Sequence, residues 1–364
     1  MPGRRVLITG GAGFVGSSLS LALAARHGDW EIVALDSLHR RGSELNLSRL
    51  RQAGVTFVHG DVRELEDLVA VGPFDAMVEC SAEPSVLAGL DGSTAFVLRT
   101  NLFGAYHCLE AAARHHAQVI FLSTSRVYPM ATLNALAFEE TDTRFALLDN
   151  QAHAGASAHG VAETFPLDGP RTFYGASKLA AELLVAEYAS TFGLATVVDR
   201  CGVIAGPWQM GKVDQGVFTH WILAHYFGHP VKYIGYGGAG KQVRDLMHVD
   251  DLIELIDDQL TRPAHWAGAT VNVGGGRSGS LSLRETTALC EEITGRSLEI
   301  GSEEAERAGD VRIYLTDTRA LERYTDWRPR LGPREILADI FEWVREHEQL
   351  VAGALGLEAV GVRG

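Results

Sequence analysis

Arg4-Arg5-Val6-Leu7-Ile8-Thr9-Gly10-Gly11-Ala12-Gly13-Phe14-Val15-Gly16 is the stretch on which the fold turns. Its apolar run, Val6-Leu7-Ile8, reads as a strand buried on both faces, and the periodic segment from Phe14 to Arg26 reads as a helix. Glycines fill the turn between them. Gly10 permits a tight bend, Gly13 lets backbone come close to a pyrophosphate, and Gly16 lets helix and strand approach each other. The amides at the helix N-terminus then face the negative charge. A glycine-rich turn without a ligand is the plainer alternative. What gives the motif its meaning is its position after a first strand and at the opening of a helix.

Working outward, short apolar runs alternate with longer amphipathic ones, the pattern of strand-helix-strand units. Strands are predicted at Arg5–Thr9, Glu31–Asp36, Thr56–His59, Ala76–Glu79, Val119–Ser123 and Thr196–Asp199. Helical periodicity covers Phe14–Arg26, Leu45–Gln52, Thr94–Arg114 and Phe173–Thr191. The fold class is therefore α/β: a Rossmann-type doubly wound parallel sheet, with a smaller C-terminal α/β substrate lobe. Residues 1–200 form the nucleotide-binding domain, interrupted by a long loop at 129–171 that has no sustained period. Residues 201–350 form most of the substrate lobe, interleaved with the first domain and ending in a helix over Pro333–Leu350. Residues 351–364 are expected to fray.

Composition narrows the function. A formal charge of −14 disfavours broad electrostatic binding of nucleic acid or anionic membranes, so an anionic ligand needs local Arg or Lys. Cys80, Cys108, Cys201 and Cys290 form no C-x-x-C pair, and none of the 14 histidines falls in an H-E-x-x-H motif. No metal site or disulfide framework is signalled. The chain has no signal-peptide pattern and no apolar stretch of roughly 18 residues that would span a bilayer. A soluble cytoplasmic protein is the expectation.

Asp36 ends the second strand, where an acid accepts both ribose hydroxyls of a dinucleotide and repels a 2′-phosphate. NAD is thus favoured over NADP, although Arg40 and Arg41 nearby offer the alternative. Asp61-Val62, after the third strand, is placed to meet the adenine, or is simply a turn.

Tyr174-Gly175-Ala176-Ser177-Lys178 puts Tyr174 and Lys178 on one face of a helix. A free phenol has a pKa of about 10, and bringing it near neutrality takes roughly 4 kcal/mol of differential stabilisation. The Lys178 ammonium and an oxidised nicotinamide together are expected to supply it, making Tyr174 a base. Lys178 would also hold the nicotinamide ribose. Thr124, at the end of the fifth strand, would hydrogen-bond the reacting oxygen, a role open also to Ser123 or Ser125.

With these residues in place, the sequence resembles the NAD-dependent epimerase/dehydratase family of extended short-chain dehydrogenases/reductases, from Arg4 to about Glu346. The likeness rests on Gly10–Gly16, Thr100-Asn101-Leu102-Phe103-Gly104, Ser123-Thr124-Ser125-Arg126-Val127-Tyr128, Tyr174 with Lys178, and Gly240-Lys241-Gln242-Val243-Arg244-Asp245. It implies a cofactor site of Gly10, Gly13, Phe14, Val15, Asp36, Asp61, Val62, Ser81, Ala82, Asn101, Tyr174 and Lys178. It also implies a substrate site of Glu83, Ser125, Arg126, Gln209, Arg244 and Arg307, with the two last-named arginines on a nucleotide diphosphate. The segment after Tyr128 and the stretch Arg200–Gly216, ending Lys212-Val213-Asp214-Gln215-Gly216, look most like the branch that inverts C2 of a CDP-sugar. A homodimer or homotetramer packed through Thr94–Arg114 and Phe173–Thr191 is implied as well. Two places depart from the family pattern: Pro129 stands for a usual Gly, and Cys80-Ser81-Ala82-Glu83 replaces a small-residue segment beside the nicotinamide. Glu83 is either a sugar-binding acid or a solvated loop residue.

Other readings remain open. A UDP-sugar 4-epimerase would share the same machinery. A 4,6-dehydratase would carry an Asp-Glu pair directly after the catalytic Thr, where Ser125-Arg126 stands here. A noncatalytic NAD-sensing or RNA-binding relative would have lost Tyr174 and Lys178 or gained basic charge.

Overall fold

A computed structural model describes residues 3–90, 92–211 and 216–356. Seven strands form one parallel sheet: β1 (Arg5–Thr9), β2 (Glu31–Asp36), β3 (Thr56–His59), β4 (Ala76–Glu79), β5 (Gln118–Thr124), β6 (Thr196–Cys201) and β7 (Ala269–Val273). Their order is β7-β6-β5-β4-β1-β2-β3, with every pairing parallel. The order reverses between β1 and β4, and the crevice beyond the strand ends at such a reversal is where dinucleotides bind.

Four helices cover this sheet: α1 (Phe14–Arg26), α2 (Gly104–His115), α3 (Phe173–Phe192) and α4 (Val249–Thr261). Strand alternation decides what each meets. Val6 and Ile8 face Leu19 and Leu23 of α1 and Leu252 and Ile256 of α4. Leu7 faces the other way, into a layer with Leu109 of α2 and Val185 of α3. A strand buried on both sides must be apolar throughout, which is why Val6-Leu7-Ile8 shows no alternation.

All six expected strands are present. The seventh, β7, was not expected: it returns from the lobe to the sheet edge beside β6. Helix α4 likewise belongs to the sheet, so the first domain draws on residues well beyond 200. The single helix expected over Thr94–Arg114 is interrupted. Thr94–Leu98 leads into a wide π turn, Arg99–Phe103, before α2 begins. A further short helix, Leu65–Ala70, escaped the sequence reading.

Segment 129–171 is not an irregular loop. It folds into a helix, Met130–Asn134, and two hairpins, Phe138–Glu140 with Phe145–Leu147 and Ala156–Ser157 with Gly160–Val161. Leu133, Phe145, Leu147, Val161 and Phe165 are buried against Val243, Ile313 and Tyr314 of the lobe. Arg144 anchors the outer hairpin by donating to Glu285 and, at 3.0 Å, to Ser280.

The lobe carries strands Val203–Ala205, Val243–His248, Ser280–Ser282 and Ile313–Tyr314 in a small sheet. Helices Val217–Phe227, Leu283–Thr294 and Pro333–Glu346 enclose its core. Beyond the last of these, Glu348–Leu355 is also helical, and Val351 and Ala352 are buried in that core. The expected start of fraying at 351 is therefore corrected: an apolar face was available to pack. Residues 357–364 and Lys212-Val213-Asp214-Gln215 lie outside the described residues. Among the described residues no helix is long and apolar enough to cross a membrane.

Candidate active site

The ends of β1, β2, β4, β5 and β6 open into a cavity of about 950 Å³ whose far wall is the lobe. At its β1 end, Gly10 adopts φ +62, and Gly13 N donates to its carbonyl at 2.9 Å. A Cβ on Gly16 would lie 2.2 Å from the Gly10 oxygen, so any side chain there would push α1 off the turn. Helix α1 starts at Gly13 with no side-chain cap and no acid in its first turn. The residues of its first turn, Phe14, Val15 and Gly16, line the cavity with no side chain capping their amides, which fits a pyrophosphate.

Asp36 lines the cavity beside this turn. One carboxylate oxygen accepts from Leu38 N at 2.8 Å and the other from Ala12 N at 3.1 Å. A carboxylate has acceptor capacity for two more donors, so a ribose diol fits. Asp61 is held differently. Arg63 grips it through Nε at 3.0 Å, and that ion pair, with the Arg63 amide, keeps its carboxyl below the ordinary range despite burial. Asp61 and Val62 both line the cavity, together with Phe96 and His39, which the sequence reading missed. The Arg63 guanidinium sits 5.1 Å from the Phe96 ring centre. Gly10, Gly13, Phe14, Val15, Ser81 and Ala82 complete this side of the wall.

Asn101 and Lys178 do not line it. The Asn101 amide is spent elsewhere: its oxygen accepts from Glu83 N at 2.8 Å, and its nitrogen donates to Glu83 O at 3.1 Å and to Ser177 Oγ at 3.2 Å. In the protein alone it lies behind the cavity wall, where it ties segment 81–85 to α3. Lys178 is buried and donates to Glu79 at 3.2 Å, with its ammonium 3.9 Å from the centre of the Phe121 ring. Glu79 was missed from the sequence, because nothing there pairs it with a lysine 99 residues further on.

Tyr174 and Thr124 both line the cavity wall, and the Thr124 hydroxyl is close enough to favour the phenolate. The expected acidification of Tyr174 is not found in the protein alone. Burial pushes the phenol up, and Lys178, Thr124 and Arg126 only partly pull it back. The physical reason is burial, which disfavours the phenolate more than the neighbouring charges favour it.

Thr124 also accepts from the Arg126 amide at 3.2 Å, closing a turn that carries Ser125 and Arg126 along the cavity. The Arg126 guanidinium reaches the Gly309 carbonyl at 3.0 Å. One residue on, Asp310 accepts from Arg244 at 2.6 Å. Burial and the like charge of Arg244 bring Arg126 down to about 10, so it remains a cation at neutral pH. Arg307, Lys232 and His220 line the same end. In a chain of net charge −14, this is a local cationic wall. Gln209 lines the cavity too, but its amide is taken by Ile204 O at 2.9 Å and Thr219 at 2.6 Å. Among the described residues of the cavity the carboxylates are Asp36, Asp61, Glu83 and Asp310. Glu83 accepts from Ser85 N at 3.1 Å, a turn bond that leaves it facing the cavity.

A chain with this fold and wall has many relatives. The sequence profile described as the NAD dependent epimerase/dehydratase family matches residues 6–274. CDP-paratose 2-epimerase of Salmonella typhi is 30% identical over 93% of this chain and 98% of its own length. The dTDP-glucose 4,6-dehydratase of Streptomyces venezuelae, solved with NAD bound, is 27% identical with a TM-score of 0.76, over 96% of this chain and 99% of that one. The UDP-glucose 4-epimerase of Thermus thermophilus, a complex with NAD, is 26% identical with a TM-score of 0.74, over 94% of this chain and 99% of that one. On the match over most of its length, the chain is an NAD-dependent enzyme and belongs to the NAD dependent epimerase/dehydratase family.

Proposed function

We propose that the enzyme inverts C2 of a CDP-linked sugar through a transient ketosugar. The observation that carries this reading is the single arginine joining the two ends of the sugar site. Arg126 starts two residues after Thr124 and ends at Gly309, beside the Asp310–Arg244 pair. In a nucleotide sugar, C2 adjoins the anomeric carbon that bears the diphosphate, whereas C4 lies across the ring. A short bridge from the catalytic hydroxyls to the diphosphate arginines suits C2. The likeness to a CDP-paratose 2-epimerase supports the same choice.

In this reading Tyr174 is the base. As phenolate it takes the proton of the C2 hydroxyl, and Thr124 holds that oxygen. NAD, when bound, supplies the acceptor for the C2 hydride and returns it. Arg244 and Arg307 hold the diphosphate throughout, so the neutral ketosugar stays tethered while its ring turns to present the other face. Tyr174 then gives its proton back to the C2 oxygen. The 4,6-dehydratase reading loses ground because Ser125 and Arg126 stand where an acid pair would expel a hydroxyl. Glu83 is the one carboxylate of the described wall near the reacting end that is not ion-paired, and it suits a sugar hydroxyl. The noncatalytic reading loses ground because Tyr174 and Thr124 are assembled.

A homo-oligomer accompanies this reading. Phe103, Leu183 and Phe192 are 54%, 65% and 50% exposed on the helical run 94–115 and on α3, an apolar face that a second copy would cover. Free cysteines and the acidic surface suit the cytoplasm.

The test is to incubate the purified protein with CDP-, UDP- and GDP-sugars and assign products by NMR. A 2-epimer of a CDP-sugar is expected. A 4-epimer or a 4-keto-6-deoxy sugar would replace the reading.

A further inference from the structure

Glu79 ends β4 at the carboxyl edge of the sheet, paired in register with Thr9 of β1 and Phe121 of β5. A carboxylate has no solvation there: its exposure is 2%, and that of Lys178 is the same. A buried charge without a partner is costly, so each group commits the other. Oε2 of Glu79 accepts from Lys178 Nζ, and the Ser81 amide donates to the same carboxylate. This links the catalytic helix to the segment that lines the cofactor side of the cavity. Nothing in the chemistry of hydride transfer itself calls for an acid under the lysine.

We propose that Glu79 is a positioning residue for the reaction: it holds the Lys178 ammonium at the floor of the site and sets how much of that charge acts on the Tyr174 phenol. The inference rests on the reading of Tyr174 as the proton-transfer group. Burial raises the Glu79 carboxyl and the Lys178 ammonium pulls it back; while it is ionised, the lysine field is divided between carboxylate and phenol. If Lys178 turned from Glu79 toward the cavity when NAD is bound, more of its charge would act on the phenol. Proton transfer would thereby be tied to occupancy of the cofactor site.

The groups facing this pair come from four further places. They are Cys80 after β4, Cys108 on α2, Cys201 at the end of β6 and Arg126 after β5. Burial pushes all three thiols up, so they are uncharged in the working pH range. Arg126 keeps its charge. Glu79 is thus the one acid among these groups, and its removal deletes the negative charge paired with Lys178.

The experiment titrates the phenolate absorption of Tyr174, with and without NAD, in wild type, E79Q and E79D, using Y174F as the blank. The same proteins are assayed for the pH dependence of kcat. Removing the negative charge favours phenolate, so E79Q should move the phenol titration and the acid limb of kcat to lower pH by about one unit. It should also shrink the difference between empty and NAD-loaded protein. E79D keeps the charge but withdraws it by one methylene, so a smaller shift in the same direction is expected. Should E79Q not fold, E79D decides alone. Phenol titrations that coincide with wild type in the folded variants would overturn the proposal. Full activity in Y174F would instead overturn the reading it rests on, so the two failures are told apart.

Discussion

Arg126 donates through Nη1 to the carbonyl of Gly309 at 3.0 Å, and so joins the turn that presents Thr124 to the lobe segment that holds Arg244. A flexible side chain held in this way sets the distance between the Thr124 turn and the segment of Asp310 and Arg244, the two ends of the proposed sugar site. Replacing it with methionine keeps bulk but removes the fork. Arg126→Met should lower kcat/KM for the nucleotide sugar at least about tenfold, while Arg126→Lys recovers only part. Bound NAD, measured on denaturation, should be unchanged in both. Loss of NAD along with activity would mean that Arg126 supports the fold instead.

Tyr174→Phe removes one oxygen from a buried site and little else. Turnover should fall by about 10²–10⁴, the usual worth of a positioned acid-base group. NAD content and melting temperature should stay near wild type. Retained turnover would remove Tyr174 from the chemistry.

Arg244 spends donors on Asp310, on Val243 O at 2.7 Å and on Val311 O at 2.5 Å, and still lines the cavity. Arg244→Ala is expected to raise KM for the sugar nucleotide by about 10–100-fold with a smaller effect on kcat, the pattern of lost ground-state binding. Steady-state kinetics on purified, NAD-loaded protein checks it. A pure kcat effect would contradict a diphosphate role.

Asp199, fully buried in β6, has one oxygen on Gln259 Nε2 at 2.9 Å and the other without a partner among the described residues. Burial pushes its carboxyl up to about 7. The folded state therefore binds this proton more tightly than the unfolded chain does. The resulting penalty is absent below the unfolded value of about 4 and complete above about 7, so stability falls as pH rises through that window. Asp199→Asn should abolish this part of the slope and raise stability at pH 8 by roughly 2–4 kcal/mol. Denaturant melts at several pH values read it out. An unchanged slope would show that the carboxyl ionises freely.

Much of the fold was legible because parallel strands buried on both faces announce themselves as apolar runs, as Val6-Leu7-Ile8 does. β7 was not. Its five residues lie within lobe sequence, far along the chain from the β6 that they pair with. The hairpins of segment 129–171 are two or three residues per strand, too short to show a period. That Tyr174, Thr124, Asp36, Arg126, Arg244 and Arg307 line one cavity was legible because all of them sit at strand or helix ends or in loops beyond them. Asn101 was legible only as a family-like position. A family-like position does not reveal that its amide is already satisfied by Glu83 and Ser177. Glu79 was invisible for the opposite reason: its meaning lies in a lysine ninety-nine residues away.

The central claim is that hydride leaves and returns at one carbon. A CDP-sugar deuterated at C2, turned over by the NAD-loaded enzyme and followed by NMR, tests it most directly. The account requires a product inverted at C2 that retains deuterium at that carbon. Inversion at C4, or deuterium unmoved beside a new 4-keto-6-deoxy group, would contradict it.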